Sequence, residues 1–160
     1  MSVAFTKEES AETAAETLLP DRPVSPHPNL VTAAGFKALE DQLREAQAAY
    51  EAAQANEDVN ERRRESALPL RDAHYFAARV RTAQVMPAPA STDQIAFGST
   101  VTFRRGDGRV QTYTIVGEDE ADPKRGMISY VSPVARLLVG KSAGDVVEAS
   151  GQELEILKIA

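Results

Sequence analysis

Apolar positions between residues 32 and 54 recur three and four apart: Phe36, Leu39, Leu43, Ala46, Tyr50 and Ala53. That spacing lays one stripe along a helix and makes a heptad seam. Thr32 stands where its hydroxyl caps the open N–H groups of a first turn. Val31 and Phe36 have the spacing of a hydrophobic staple. Carried onward, the register reaches Glu57 and Asn60, so the seam stops at Ala53 and resumes as Leu70, Ala73, Ala77 and Val80. Two seams divided by polar sequence predict an antiparallel helical hairpin, a coiled coil. Pro69 is expected in the first turn of the second arm, where its missing N–H has no partner to lose, with Ser66 as the cap.

Past Pro87-Ala88-Pro89 the period changes from helical to two. Ile95–Arg104 and Arg109–Val116 read as strands joined by Arg105-Gly106-Asp107-Gly108, a hairpin turn signal. Met127–Val131 is a third strand. Ser132 caps a short helix with Pro133 at its first position, ended by Gly140. Asp145–Ala149 and Leu154–Ile159 complete a sheet. The fold class is therefore α+β: a helical hairpin over residues 30–86, then a β domain with one short helix over residues 95–160. Ahead of both, residues 1–29 read as a flexible tail. A weak helix is expected within residues 1–19, followed by a stretch with four prolines between Pro20 and Pro28 that favours extended chain.

Composition narrows the chemistry. The 160 residues hold no cysteine, which excludes disulfides, thiolate nucleophiles and cysteine-type zinc sites. No apolar run is long enough to span a bilayer, and the first ten residues lack the layout of a secretory signal, so a cytoplasmic protein without a membrane partner is expected. The net charge is −6. A protein that grips duplex nucleic acid by its phosphates carries a basic excess, so contact with nucleic acid is expected to be local or made through a partner.

The C-terminal residues carry a resemblance. Tyr113-Thr114-Ile115-Val116-Gly117-Glu118-Asp119-Glu120-Ala121-Asp122, then Ile128-Ser129, Ser132-Pro133-Val134-Ala135-Arg136, Leu138, Gly140-Lys141 and Gly144-Asp145-Val146-Val147 resemble the pattern of the Gre family of bacterial transcript cleavage factors. Thr32, Gly35, Phe36, Leu39, Glu40 and Leu43 are similar to the start of that family's hairpin. The resemblance implies an FKBP-like antiparallel carboxy-terminal domain. It also implies a bacterial RNA polymerase partner, with the globular domain docked at the rim of the secondary channel and the hairpin inside. Ser129, Ser132 and Pro133 are then the expected docking residues. Nascent RNA is met only within that complex, and the factor itself is a monomer and no enzyme.

In cleaving members two acidic tip residues help hold a second magnesium ion at the polymerase active site. The implied candidates are Asp58 and Glu61, which keep the D-x-x-E spacing, and the chain has no cofactor or metal of its own. Around them Glu57, Arg62, Arg64 and Glu65 depart from the family tip, and the hairpin lacks about two heptads, on the order of 10 Å of reach. A non-cleaving channel binder, resembling nucleoside diphosphate kinase regulators, is the alternative. A prolyl isomerase is a more distant one, resting on fold analogy alone. Arg62, Arg63 and Arg64 are candidates for contact with RNA or polymerase, although Glu61 and Glu65 are placed to pair with them. The run from Glu118 to Asp122 reads as a structural turn, and His27 and His74 stand isolated.

Overall fold

The computed structural model describes residues 19–160, and the helix expected near the amino terminus lies outside them. The chain divides into two compact units. One holds residues up to Val24 together with Leu39–Arg81. The other holds Ser25–Ala38 and Thr82–Ala160.

The first unit holds most of the helical hairpin. Helix α1 covers Ala33–Gln54 and α2 covers Val59–Thr82, with Ala55–Asp58 as the bend. Thr32 caps α1 as expected, its Oγ1 accepting from the Gly35 N–H at 2.9 Å. The α1 seam is buried at Leu39, Ala46 and Ala53 and half-buried at Leu43 and Tyr50. Small alanines suit a seam where two backbones come close. Across it, the Gln54 amide donates to the buried Ser66 hydroxyl at 2.9 Å.

The second arm departs from expectation. It starts ten residues before Pro69, which sits inside a continuous helix, and Ser66 is a buried seam residue instead of a cap. Asp58 supplies the earlier start. Pro69 removes the N–H that would meet the Glu65 carbonyl; Glu65 is exposed, so water can take that acceptor. The buried face shifts accordingly: Leu70 is 38% exposed and Ala77 is exposed, whereas Ser66 and Arg79 are buried. The extended residues after Leu19 run on this unit. Arg22 stacks over the Tyr75 ring at 3.9 Å and pairs with Asp72 at 3.2 Å.

The second unit is built on a sheet of order β5-β4-β3-β7-β6. Its strands are β3 (Thr100–Arg105), β4 (Val110–Val116), β5 (Met127–Ser129), β6 (Val146–Ala149) and β7 (Gln152–Ile159). Neighbours run antiparallel except β4 and β5, which pair parallel. Strand β3 begins at Thr100 and not at Ile95, because Gly98 takes φ +89° and Ser99 closes a turn on Ala96, its N–H donating to the Ala96 carbonyl and its hydroxyl accepting from the Ala96 N–H. Between Thr102 and Phe103 the β3–β7 register slips, with Leu157 as the extra residue. That bulge reverses the in–out phase, so Leu154 and Ile156 before it and Ile159 after it all face the core. Phe103, Ile115, Leu138 and Ile95 complete that core. Each such side chain contributes about 1.5–3 kcal/mol by leaving water. Helix α3 (Pro133–Leu138) closes it, packing Ala135 and Leu138 inward.

A second, two-stranded sheet has no signal in the hydrophobic pattern. Leu30–Val31 (β1), just before α1, pairs parallel with Gln84–Val85 (β2), just after α2. The Gly117 backbone lies against it so closely that a Cβ there would stand 2.4 Å from the Leu30 carbonyl oxygen.

Candidate functional site

The bend of the hairpin is assembled by its own polar groups. α1 ends as Ala55 and Asn56 donate back to Ala52 and Ala53. The Asn56 side chain then accepts from the Asp58 N–H at 3.0 Å, an Asx turn that starts the reversal. Asp58 Oδ1 accepts from the N–H groups of Asn60, at 2.8 Å, and Glu61, at 3.0 Å. Asp58 is thus the N-cap of α2. Those two N–H groups, helped by the Arg64 charge, hold its carboxyl below the ordinary aspartate range. Oδ2 takes no part in either bond.

D-x-x-E is also the spacing of a capping box. Only half of the box forms. The Asp58 N–H is taken by Asn56, and Glu61 turns instead toward Arg64, at 3.9 Å with its side chain 53% exposed. Asp58 and Glu61 therefore stand together on the exposed first turn of α2.

The three arginines have different surroundings. Arg62 donates through Nε to the Asn56 carbonyl at 2.8 Å and reaches the Glu57 carbonyl at 3.5 Å. It tethers the bend and covers carbonyls past the end of α1, where a cation is favoured. Arg64 leans on Glu61 and on the Asn60 carbonyl. Arg63 lines a cleft of the hairpin unit together with Arg62 and Arg71. Glu65 accepts from the Asn56 amide at 3.3 Å.

In the sheet unit the expected docking residues form one turn. Ser129 ends β5, and its hydroxyl accepts from the Val131 N–H at 3.2 Å. Its carbonyl accepts from Ser132 at 3.0 Å. Ser132 caps α3 through the Ala135 N–H, and Pro133 occupies the first helical position, exposed. The two hydroxyls thus set the shape of the turn, while the proline ring faces outward.

The acidic run after β4 holds the chain before α1. Glu120 Oε2 accepts from the Thr32 hydroxyl at 2.7 Å, and Glu118 Oε1 from the Ser25 hydroxyl at 3.0 Å. Gly35 leaves room for this carboxylate, since a Cβ would meet Glu120 Oε2 at 2.5 Å. Among the described residues no group of three His, Asp or Glu side chains is arranged to hold a metal. Among the same residues no helix is long and apolar enough to cross a membrane.

The family model "Transcription elongation factor, GreA/GreB, C-term" matches residues 90–160. Transcription elongation factor GreA of Desulfovibrio desulfuricans is 37% identical over 125 residues, covering 77% of this chain and 71% of that protein. GreA of Rickettsia typhi is 39% identical over 136 residues, covering 74% and 83%. Transcription elongation factor GreB of Neisseria meningitidis is 47% identical over 73 residues, covering 43% of this chain and 45% of its own.

Proposed function

This chain belongs to the GreA/GreB family of transcription elongation factors, and on that premise we propose that it enters the secondary channel of bacterial RNA polymerase. The sheet unit docks through the turn of Ser129, Ser132 and Pro133. The hairpin carries Asp58 and Glu61 toward the polymerase active site, where they assist cleavage of a backtracked transcript. The chain is an accessory factor, and the bond is broken by the polymerase.

The observation that carries this reading is the bend itself. Two carboxylates share an exposed helical turn, and one of them is kept ionised by the N–H groups it caps. Oxygen donors of this kind suit a hard cation shared with another protein. Magnesium at the polymerase site would supply water activation and charge stabilisation at the leaving oxygen. Asp58 and Glu61 offer it ligands; Arg63 and Arg64 are the side chains of the basic run left to meet RNA phosphate or polymerase acids, because Arg62 is tied to the bend.

A second reading has its own support. Helix α1, Ala33–Gln54, is about 33 Å long at 1.5 Å per residue, and the hairpin is about two heptads short of the family pattern. An arm that short favours a factor that occupies the channel without cleaving, since positioned ligands lose their effect within an ångström or so.

One experiment separates the two. RNA release from a backtracked polymerase complex is measured with wild type, Asp58→Asn and Glu61→Gln. Asparagine still caps a helix, so this variant removes the charge and keeps the fold. Cleavage by wild type that both variants lose, with binding retained, supports the first reading. Binding without cleavage by wild type supports the second. Cleavage that survives both substitutions would remove these carboxylates from the mechanism, and absence of binding would overturn both readings.

A further inference from the structure

We propose that the cleft of the helical hairpin binds a small amphiphilic anion, a carboxylate carried on an apolar body. The cleft measures about 570 Å³ and opens between α1 and α2. That lies within the roughly 300–1,000 Å³ of small-molecule sites. The described residues that line it all belong to the first unit.

The two parts of the ligand follow from two parts of the wall. Tyr50, Val59, Ala67 and Leu70 form the apolar part. Val59 and Leu70 are exposed, so apolar surface of α2 stays in contact with water. An apolar body is stabilised by covering it.

Charge sets the head group. Arg62, Arg63 and Arg71 line the same cleft, and Asp21 is the only acid among its described lining residues. The arginines are poorly compensated. Arg62 directs its hydrogen bonds to main-chain carbonyls, which carry no net charge. Arg63 is exposed and has no ion pair or hydrogen bond among the described residues. Arg71 shares Asp72 Oδ1 with Arg22, at 3.6 Å and 3.2 Å, so one carboxylate answers two guanidiniums. Arg71 Nε is also shielded from solvent with no acceptor. A shielded donor on an ionised group is costly to leave unmet, and a carboxylate is the acceptor that fits a guanidinium fork. A bare anion would leave the apolar wall wet, and an uncharged body would leave Arg71 unmet.

Binding of this kind needs no polymerase, so the free, full-length protein suffices for the test. Octanoate is titrated into isotope-labelled protein, and amide signals are read by NMR. Acetate supplies the head alone, and octyltrimethylammonium supplies the same tail with the opposite charge. The expected result is saturable shifts at Tyr50, Val59, Ala67 and Leu70 with octanoate, at most weak ones with either control, and β3 and β7 unmoved. Arg63→Gln, an exposed position where the fold is not at stake, is expected to weaken the affinity about tenfold, the loss of one charged hydrogen bond. Arg71→Gln is expected to weaken it at least as much. Absence of octanoate shifts would overturn the proposal, since the cleft is then closed or already filled. Equal shifts from either control would overturn it by removing one half of the ligand, and unchanged affinity in Arg63→Gln would remove the role of charge. Cleft shifts on dilution of the protein alone would assign the surface to a second copy of the chain and overturn it as well.

Discussion

Asp58 does two things at once, and they can be taken apart by substitution. As the cap of α2 it accepts two backbone N–H groups. Asp58→Ala removes the cap and should lower hairpin stability, whereas Asp58→Asn should cost only a fraction as much. Thermal melts of the two variants check the difference. The pH dependence has a definite sign. The folded carboxyl sits below its ordinary value of 3.8. Its stabilisation is therefore complete above the unfolded value and is lost as pH falls through the lower, folded one. Wild type should lose helical ellipticity faster than Asp58→Asn below about pH 4; parallel titrations would refute this. Gly117 tests close approach. Gly117→Ala drives a Cβ into the Leu30 carbonyl, so it should destabilise the sheet unit by about 1–3 kcal/mol in denaturant unfolding.

Among the elements, α2 carries a removable defect. Pro69 lies in its interior. Pro69→Ala restores a donor to the Glu65 carbonyl and should stabilise the hairpin by about 1–3 kcal/mol, read as a raised melting temperature. A neutral or negative result would mean that the proline is needed for the local packing. The same proline explains why the second arm starts earlier than its sequence pattern indicates. Proline is so much commoner at a helix start that it drew the boundary to Ser66, although Asp58 followed three residues later by Glu61 carried a start signal of its own. The α1 seam was legible because its spacing is strict and its alanines really are buried. Strands β3, β4, β6 and β7 were legible to within a few residues from alternation and the Gly-Asp-Gly turn. The β1–β2 pair was not, since two residues cannot show a period. The bond from Arg62 to the bend was equally invisible, because nothing in a charge run says which member turns back on the main chain.

At the level of the whole molecule, the sheet unit is discontinuous in sequence: Ser25–Ala38 and Thr82–Ala160 belong together, and residues 39–81 interrupt them. A chain in which residues 39–81 are replaced by a short flexible linker should still fold its sheet unit cooperatively. Amide spectra of β3 and β7 unchanged from wild type are the expected outcome, and their collapse would show that the unit depends on the hairpin. The reason lies in the ladder of Leu30 with Gln84 and Val31 with Val85, which joins the chain just before α1 to the chain just after α2. An insertion whose two ends are stitched together is open to revision during evolution. Turns can be added to both arms, or deleted from both, without asking the rest of the chain to change. Arm length can then change by whole turns while the platform that carries it stays the same.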